Sequence, residues 1–168
     1  MQTHYKYPEG IPTEYQTIAD ALRDEVQQVR QQYIPPRRSK ISDPQSDGNV
    51  AVARLEISNP NQSCSFQATS KRKPINIPGE EGGPTLYFDP MLDRAILGQY
   101  YNRAHAEYKL FNAIAEKIKQ SNLPDDVEGI LYLYTERDTC SGCYSTGDNF
   151  NDMFPNIRVI IFYERPYP

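Results

Sequence analysis

The fold of this chain is constrained most by two short apolar segments, residues 129–134 (GILYLY) and 157–163 (IRVIIFY). Both are rich in β-branched and aromatic residues and have the length of strands. Strands that are apolar on both faces are typical of a sheet covered by helices on both sides. Residues 140–153, which lie between the two segments, predict a helix. We therefore expect a strand–helix–strand unit within an α/β fold.

A β-hairpin and another helix are predicted before this unit. Strand-like segments at 50–57 and 63–69 flank a turn cluster, SNPNQ, which predicts the hairpin. Apolar residues at helical spacing predict a helix over 105–121. The order β, β, α, β, α, β indicates a mixed sheet of about four or five strands with helices packed on it. Between the hairpin and this helix we expect a loop and then a short helix, at 71–84 and 90–101.

The first 49 residues are interpreted as an extension of the domain. Apolar residues at helical spacing predict a helix over 14–32, with Thr13 as its N-cap. The polar residues that follow it are expected to form an exposed connection. The predicted organisation is therefore an N-terminal helical extension and linker over 1–49 and one domain over 50–168.

Length and charge limit the function classes. A chain of 168 residues fits one domain, and its net charge of -4 argues against a protein that holds nucleic acid by bulk charge alone. Residues 30–73 nevertheless carry eight cations against three anions, a net +5. This segment is either a solvated loop or a local anion-binding surface. The cations are Arg30, Arg37, Arg38, Lys40, Arg54, Lys71, Arg72 and Lys73.

The apolar segments give no sign of a membrane protein. None approaches the roughly 20 residues of a spanning helix, so we expect no membrane partner. The N-terminal residues MQTHYKYPEG lack an apolar core, so we expect no cleaved signal peptide. Export through other signals, or excision from a larger precursor, stays open.

Three residues predict a metal site. His105 begins one predicted helix, and Cys140 and Cys143 begin the next, after a strand. Three ligands of this kind bind Zn²⁺ and leave a fourth position open for water, as in catalytic sites. Glu107, two residues after His105, is placed to transfer protons. A closed structural site would need a fourth protein ligand, for which Cys64 and His4 are the remaining candidates.

The arrangement H-x-E followed by C-x-x-C is the signature of zinc nucleobase deaminases. The chain resembles the cytidine deaminase-like superfamily and, within it, the deaminase domains of bacterial polymorphic toxins. The segments that carry the second resemblance are 105–118 (HAEYKLFNAIAEKI), 134–143 (YTERDTCSGC) and 150–164 (FNDMFPNIRVIIFYE). Thr139 stands where the signature has proline. The superfamily usually has a fifth strand, yet only five residues follow Tyr163.

The resemblance implies a three-layer sandwich and a hydrolase that acts on the C–N bonds of cyclic amidines (EC 3.5.4). The implied reaction is the conversion of cytosine to uracil in DNA, with Zn²⁺ as the cofactor, His105, Cys140 and Cys143 as its ligands and Glu107 as the catalytic residue. The alternatives are deamination of free nucleosides, nucleotides or RNA, of cytosine or adenine, and a non-catalytic zinc-stabilised binding module. The resemblance also implies a toxin delivered to the cytoplasm of a target cell and a cognate immunity protein.

Six residues are candidates for substrate binding. Thr135 and Arg137 either position substrate, with Arg137 on a phosphate, or belong to a polar cluster at a strand end. Asn59 is either a sugar contact or an ordinary turn residue, and Tyr101 either flanks the base or packs in the core. The candidates adjoining the metal ligands are Ala106 and Ser141.

Overall fold

The structure is a computed structural model that describes residues 2–34, 48–71, 87–93 and 100–167. A five-stranded mixed sheet lies between one helix on one face and two helices on the other, so the predicted three-layer α/β sandwich is confirmed. The elements in chain order are β1 (Gln2–Lys6), α1 (Gln16–Tyr33), β2 (Val50–Ser58), β3 (Asn61–Thr69), β4 (Leu92–Asp93), β5 (Tyr100–Tyr101), α2 (Ala106–Gln120), β6 (Gly129–Arg137), α3 (Ser141–Met153) and β7 (Ile157–Arg165).

The strand order in the sheet is β1-β7-β6-β2-β3. The strands β1, β7 and β6 are parallel, whereas β2 is antiparallel to both of its neighbours. The predicted hairpin is therefore β2–β3, and the predicted strand–helix–strand unit is β6–α3–β7. Because parallel strands need a crossover connection, α3 lies on one face of the sheet and brings β7 beside β6.

The two faces of the sheet bury different sets of side chains. Along β6, Leu131 and Leu133 pack in the layer of α2 and α3, whereas Tyr132 and Tyr134 pack in the layer of α1. This alternation follows from the two-residue period of a strand. Odd-numbered residues of β2, β6 and β7 thus face α2 and α3, which is the face that carries the predicted metal ligands.

Residues 2–6 form a strand that the sequence analysis did not predict. The strand β1 pairs in parallel with β7, from Gln2 beside Val159 to Lys6 beside Tyr163. The interpretation of residues 1–49 as an extension is corrected in this respect, because β1 is part of the sheet and α1 is one of its layers. The fifth strand therefore comes from the N-terminal end of the sequence.

Helix α1 covers the β7–β6–β2 part of the sheet. Its residues Leu22, Val26 and Val29 are buried in one cluster with strand residues such as Val52 and Phe162. The predicted N-cap, Thr13, is wrong: it begins a 3₁₀ turn, and Tyr15 is the residue that precedes the α-helix. Burial of the apolar stripe stabilises this helix in place of a side-chain cap.

The short helix predicted near 90–101 is also corrected. Leu92–Asp93 and Tyr100–Tyr101 form an antiparallel two-stranded ribbon, and residues 94–99 lie outside the described part of the chain. The predicted loop at 71–84 falls outside it too, except for Lys71. None of the helices in the described residues is both long and apolar enough to cross a membrane.

The basic segment is described only in part. Arg30 and Arg54 form ion pairs with Glu136 and Glu25, so these two cations bind acidic side chains of the protein itself. Arg37, Arg38, Lys40, Arg72 and Lys73 lie outside the described residues. The anion-binding surface stays a prediction.

Candidate active site

The predicted metal ligands meet at one end of the sheet, where two helices begin. His105 is the residue that precedes α2, and Cys140 is the residue that precedes α3. Cys140 lies in the short connection that follows β6, and Cys143 lies in the first turn of α3. This connection therefore places both cysteines beside the start of α2. The backbone N–H groups of a helix N-terminus favour negative charge, which suits thiolate ligands.

Three ligand atoms converge. The Nδ1 atom of His105 lies 3.3 Å from the Sγ of Cys140 and 3.5 Å from the Sγ of Cys143. In a tetrahedral zinc site, nitrogen and sulfur ligands would be ~3.5 Å apart. Two sulfurs and one imidazole nitrogen are also the donor types that zinc prefers. The residues present therefore fit a zinc ion.

The two thiols differ in their protonation. The pKa of Cys140 is lowered to about 5, chiefly by its hydrogen bond with the Cys143 thiol and further by His105. Burial raises the pKa of Cys143 well above its usual value. The Cys140 sulfur also accepts the Cys143 N–H at 3.3 Å. Without a metal the pair thus holds one thiolate and one thiol, and a bound cation would remove the remaining proton.

Two residues that the sequence analysis did not identify, Asn102 and Gly142, support the position of Cys143. Asn102, which is completely buried, directs its Nδ2 atom to the Cys143 Sγ at 3.6 Å and to the Thr146 hydroxyl at 2.9 Å. Gly142 lies against the backbone of the segment before β4, where a Cβ atom would come 2.7 Å from the Met91 carbonyl oxygen. A small residue between the two cysteines therefore permits this close approach.

Glu107 lies in the first turn of α2 and is only 4% exposed. Its Oε1 accepts hydrogen bonds from the Thr135 hydroxyl at 2.6 Å and from Asn49 Nδ2 at 2.8 Å. Its Oε2 faces the ligand group, 3.9 Å from the Cys143 Sγ. Burial raises the pKa of this carboxyl, and the Thr135 hydrogen bond opposes that rise. One oxygen is therefore anchored while the other faces the metal position.

Asn49 is a functional candidate that the sequence analysis missed. It directly precedes β2, is 9% exposed, and also donates from Nδ2 to the Thr135 hydroxyl at 2.8 Å. Its Oδ1 accepts the N–H of Arg137 at 3.2 Å. The antiparallel pairing of β2 with β6 brings the start of β2 beside the end of β6. Only that register, and no local motif, identifies Asn49.

A cleft of about 420 Å³, including its solvent-open mouth, leads to these residues. Glu107 and His105 line it from one side, and Arg137, Asp138 and Tyr167 line it from the other parts of the rim. The Tyr167 ring lies 6.4 Å from the His105 ring, centroid to centroid. The cleft thus connects solvent to Glu107 and to two of the three ligand residues.

A family model, Toxin-deaminase, described as the BURPS668_1122 family of deaminases, matches residues 37–165. The chain belongs to this family. The match confirms the resemblance to toxin deaminases of the cytidine deaminase-like superfamily, and it includes the four residues of the H-x-E and C-x-x-C motifs. A search of curated proteins finds no match.

Three of the predicted substrate residues of this deaminase lie at the site. Ala106 and Arg137 line the cleft, and Thr135 bonds Glu107. The neighbouring Glu136 pairs with Arg30 of α1 on the opposite face of the sheet, so this strand end is not a purely local polar cluster. The strand end instead combines site residues on one face with an ion pair on the other.

The other three predicted substrate residues do not line the cleft. Asn59 follows the far end of β2, roughly 30 Å of strand from Asn49, which is against its assignment. Tyr101 is 56% exposed on the β5 ribbon, and the exposed Ser141 hydroxyl bonds the Leu92 carbonyl oxygen at 3.4 Å. Each of these two is next in sequence to a residue that bonds one of the predicted metal ligands, and their roles stay predictions.

The candidate fourth ligands also lie elsewhere. Cys64 is in the edge strand β3, and His4 bonds Asp138 through Nδ1 at 3.0 Å. Within the described residues, the group that could hold a metal contains His105, Cys140 and Cys143 alone. Thr139, at the position of the usual proline, donates its N–H to Asp138 Oδ1 at 2.8 Å, a bond that proline could not form.

Proposed function

We propose that this protein is a zinc-dependent hydrolytic deaminase that converts cytosine to uracil in DNA and acts as the effector domain of a bacterial toxin. The observation that carries the proposal is the pairing of a buried carboxylate with three soft metal ligands at the base of an open cleft. A binding module stabilised by zinc has no use for Glu107 at this place. An enzyme needs such a group to move protons.

Glu107 is the proposed proton carrier. The hydrogen bonds from Thr135 and Asn49 fix its Oε1, which leaves Oε2 directed at the metal position. Its raised pKa favours a carboxyl that can take a proton and return it. In the proposed reaction it takes a proton from water and transfers it to the ring nitrogen as the water oxygen bonds to the amine-bearing carbon. It then transfers the remaining hydroxyl proton to the amino group, and ammonia leaves as the C–N bond breaks and the carbonyl forms.

His105, Cys140 and Cys143 are proposed to hold the zinc ion. When bound, zinc lowers the pKa of a water molecule to near 7, which makes it a nucleophile at neutral pH. The surrounding residues orient the ligands: Asn102 bonds the Cys143 sulfur, and the backbone of Cys143 bonds the Cys140 sulfur. Such partners fix the direction of metal ligands.

A substrate that carries phosphate is supported by charge at the mouth of the cleft. Arg137 and Arg165 are directly paired across β6 and β7, on the face of the site. Burial lowers the pKa of Arg137 most, because it disfavours the charged form. The Arg165 charge lowers this pKa further, because two close cations repel each other. An anion between them would relieve that repulsion. Tyr167 offers a ring on which a base could stack.

Delivery into the cytoplasm of a target cell is proposed because the family is one of toxin deaminases. Cytosine in DNA is the substrate that the motif resemblance implies. A deaminase that modifies DNA would harm the cell that makes it. We therefore include a cognate immunity protein in the proposal as a partner. Co-expression of a neighbouring gene product that restores growth and binds this chain would test that part.

The experiment compares wild type with Glu107→Gln and Glu128→Ala. Glu128 is an exposed glutamate at the opposite end of the sheet and serves as the matched control. Deoxycytidine, single-stranded DNA, double-stranded DNA and RNA are incubated with each protein, and conversion is measured by sequencing or by mass. Zinc is measured by elemental analysis. We expect conversion of cytosine in DNA, a loss of at least about 100-fold in Glu107→Gln with zinc retained, and an unchanged rate in the control.

The other outcomes separate the alternatives. Conversion only of RNA or of the free nucleoside would replace the DNA substrate, and conversion of adenine would replace cytosine. Bound zinc without conversion of any substrate would favour the non-catalytic module. Absence of zinc from the purified wild type would contradict the metal site itself.

A further inference from the structure

One ion pair connects α1 to the candidate active site from the opposite face of the sheet. Arg30, in the last turn of α1, donates from Nε to Glu136 Oε2 at 2.6 Å and from Nη2 to Glu136 Oε1 at 2.5 Å. Glu136 is 8% exposed. Paired hydrogen bonds of this kind are among the stronger and more directional ones in proteins. Arg30 precedes the region matched by the family model, which begins at residue 37.

The same ion pair binds the backbone on both sides of Asn49. Glu136 Oε1 accepts the N–H of Val50 at 2.8 Å, and Arg30 Nη2 donates to the carbonyl oxygen of Gly48 at 3.1 Å. Asn49 lies between these two points and turns its side chain to the other face, where it bonds Glu107. The backbone that carries Asn49 is thus fixed at the residue before it and at the residue after it.

We propose that Arg30 is a positioning residue that acts on Glu107 through Glu136, the 48–50 backbone and Asn49. It lies on the far face of the sheet and touches neither the cleft nor the metal ligands. Without Arg30, the buried Glu136 carboxylate loses its cation and shifts toward water. The Val50 N–H then loses its acceptor, so the 48–50 backbone is held through the two hydrogen bonds between Asn49 and Ser70. The distance from the Asn49 amide to Glu107 is then less tightly fixed. The inference rests on the proposed role of Glu107.

The same helix offers a matched control. Arg23 also forms an ion pair with the sheet, from its Nε to Glu164 Oε1 of β7 at 3.1 Å. The Tyr134 hydroxyl donates to the same carboxylate at 2.7 Å. The hydrogen bonds of Glu164 lead to α1 and to Tyr134, not to the 48–50 backbone. Removing Arg23 therefore weakens the attachment of α1 without releasing Asn49.

The experiment compares Arg30→Ala, Arg30→Lys and Arg23→Ala in the full chain. The measurements are kcat and KM of cytosine deamination, bound zinc, the thermal midpoint and the hydrogen exchange rate of the Val50 amide. We expect Arg30→Ala to lower kcat about 10- to 100-fold, with zinc retained and little change in KM. Its Val50 amide should exchange faster. Arg30→Lys, which keeps the charge, should recover part of kcat.

Arg23→Ala should lower the thermal midpoint but leave kcat within about twofold, with the Val50 exchange rate unchanged. Equal losses of kcat in the two alanine variants would overturn the inference, and so would an unchanged Val50 exchange rate in Arg30→Ala. If the wild type deaminates no substrate, the proposed function fails. The exchange rate and the nuclear magnetic resonance position of the Asn49 side-chain amide would still decide the role of Arg30.

Discussion

Glu107 is anchored by two side chains that come from different strands. Thr135 belongs to β6 and Asn49 precedes β2, so the orientation of this carboxylate depends on the pairing of those two strands. A buried carboxyl that bonds two neutral donors is fixed in direction but keeps a raised pKa. Its second oxygen, close to Cys143, is the one available for proton transfer.

Asn49→Ala should lower kcat by roughly 10-fold while zinc stays bound, because Glu107 Oε1 then keeps only the Thr135 hydrogen bond. Steady-state kinetics with zinc analysis would check this. Asn59→Ala, at the far end of β2, is the matched control and should leave kcat unchanged. A loss in Asn59→Ala equal to that in Asn49→Ala would contradict the placement of the substrate site.

The sequence predicts those candidate site residues that lie close together along the chain. His105 and Glu107 are two positions apart, and Cys140 and Cys143 are three positions apart. A spacing of three puts Cys140 and Cys143 on one side of a helix start. His105 is the extended residue before α2 and Glu107 lies in its first turn, so this pair meets through the local geometry of the helix start. Asn49 is 58 positions from Glu107, and only the register of the sheet joins them. The turn motif pointed to a different asparagine, Asn59, as a sugar contact, and that residue follows the far end of β2.

At the scale of the elements, the start of α3 packs closely against the backbone of the segment before β4. Gly142 permits the Met91 carbonyl oxygen to lie where any larger side chain would stand. Asn102 then reaches past this segment to Cys143, and its Oδ1 accepts the Met91 N–H at 2.7 Å. The segment before β4 therefore supports the metal ligands although it carries none itself.

Gly142→Ala should destabilise the fold by about 1–3 kcal/mol and weaken zinc binding, because a Cβ atom 2.7 Å from a backbone oxygen forces α3 and the 91–92 segment apart. Chemical denaturation and zinc competition titration would measure both effects. Asp152→Ala, at an exposed position on the same helix, is the control. Equal effects of the two substitutions would refute this explanation.

The elements differ in how far local composition determines them. The strands β6 and β7 are apolar on both faces, and the sequence predicts them because β-branched and aromatic residues pack well in a buried sheet. The edge strand β1 has the sequence QTHYK, which has no such composition. Its partner residues in β7 lie more than 150 positions away. A polar edge strand of this kind can be identified only from its pairing with the neighbouring strand in the folded structure.

In the whole molecule, the helix before residue 37 and the matched family region share one apolar layer. Leu22, Val26 and Val29 are buried against strand residues from β2, β6 and β7. The protein therefore folds as a sheet with both faces covered, and one of those covers lies outside the region that the family model matches. Exposure of the β7–β6–β2 face would leave a large apolar surface in water.

Leu22→Ala should lower the free energy of unfolding by about 2–5 kcal/mol, because the side chain is fully buried and its removal leaves a cavity. Urea denaturation would measure the loss. Gln27→Ala, at an exposed position on the same helix, should change it by no more than about 0.5 kcal/mol. A detached extension would show no loss in either variant, and that result would contradict the role of α1 as a layer of the fold.

The sequence by itself determined the α/β class, the buried strands and the helices that carry the motifs, and its motifs named the four residues proposed for metal binding and proton transfer. The class, the strands and the helices depend on composition and on short spacings, so local physics specifies them. The tertiary structure alone decided that β1 completes the sheet, that Asn49 holds Glu107, and that Arg30 reaches Glu136 from the far face. Those contacts join residues 58 to more than 150 positions apart. These contacts depend on strand register and on the packing of layers, and a local sequence pattern predicts neither.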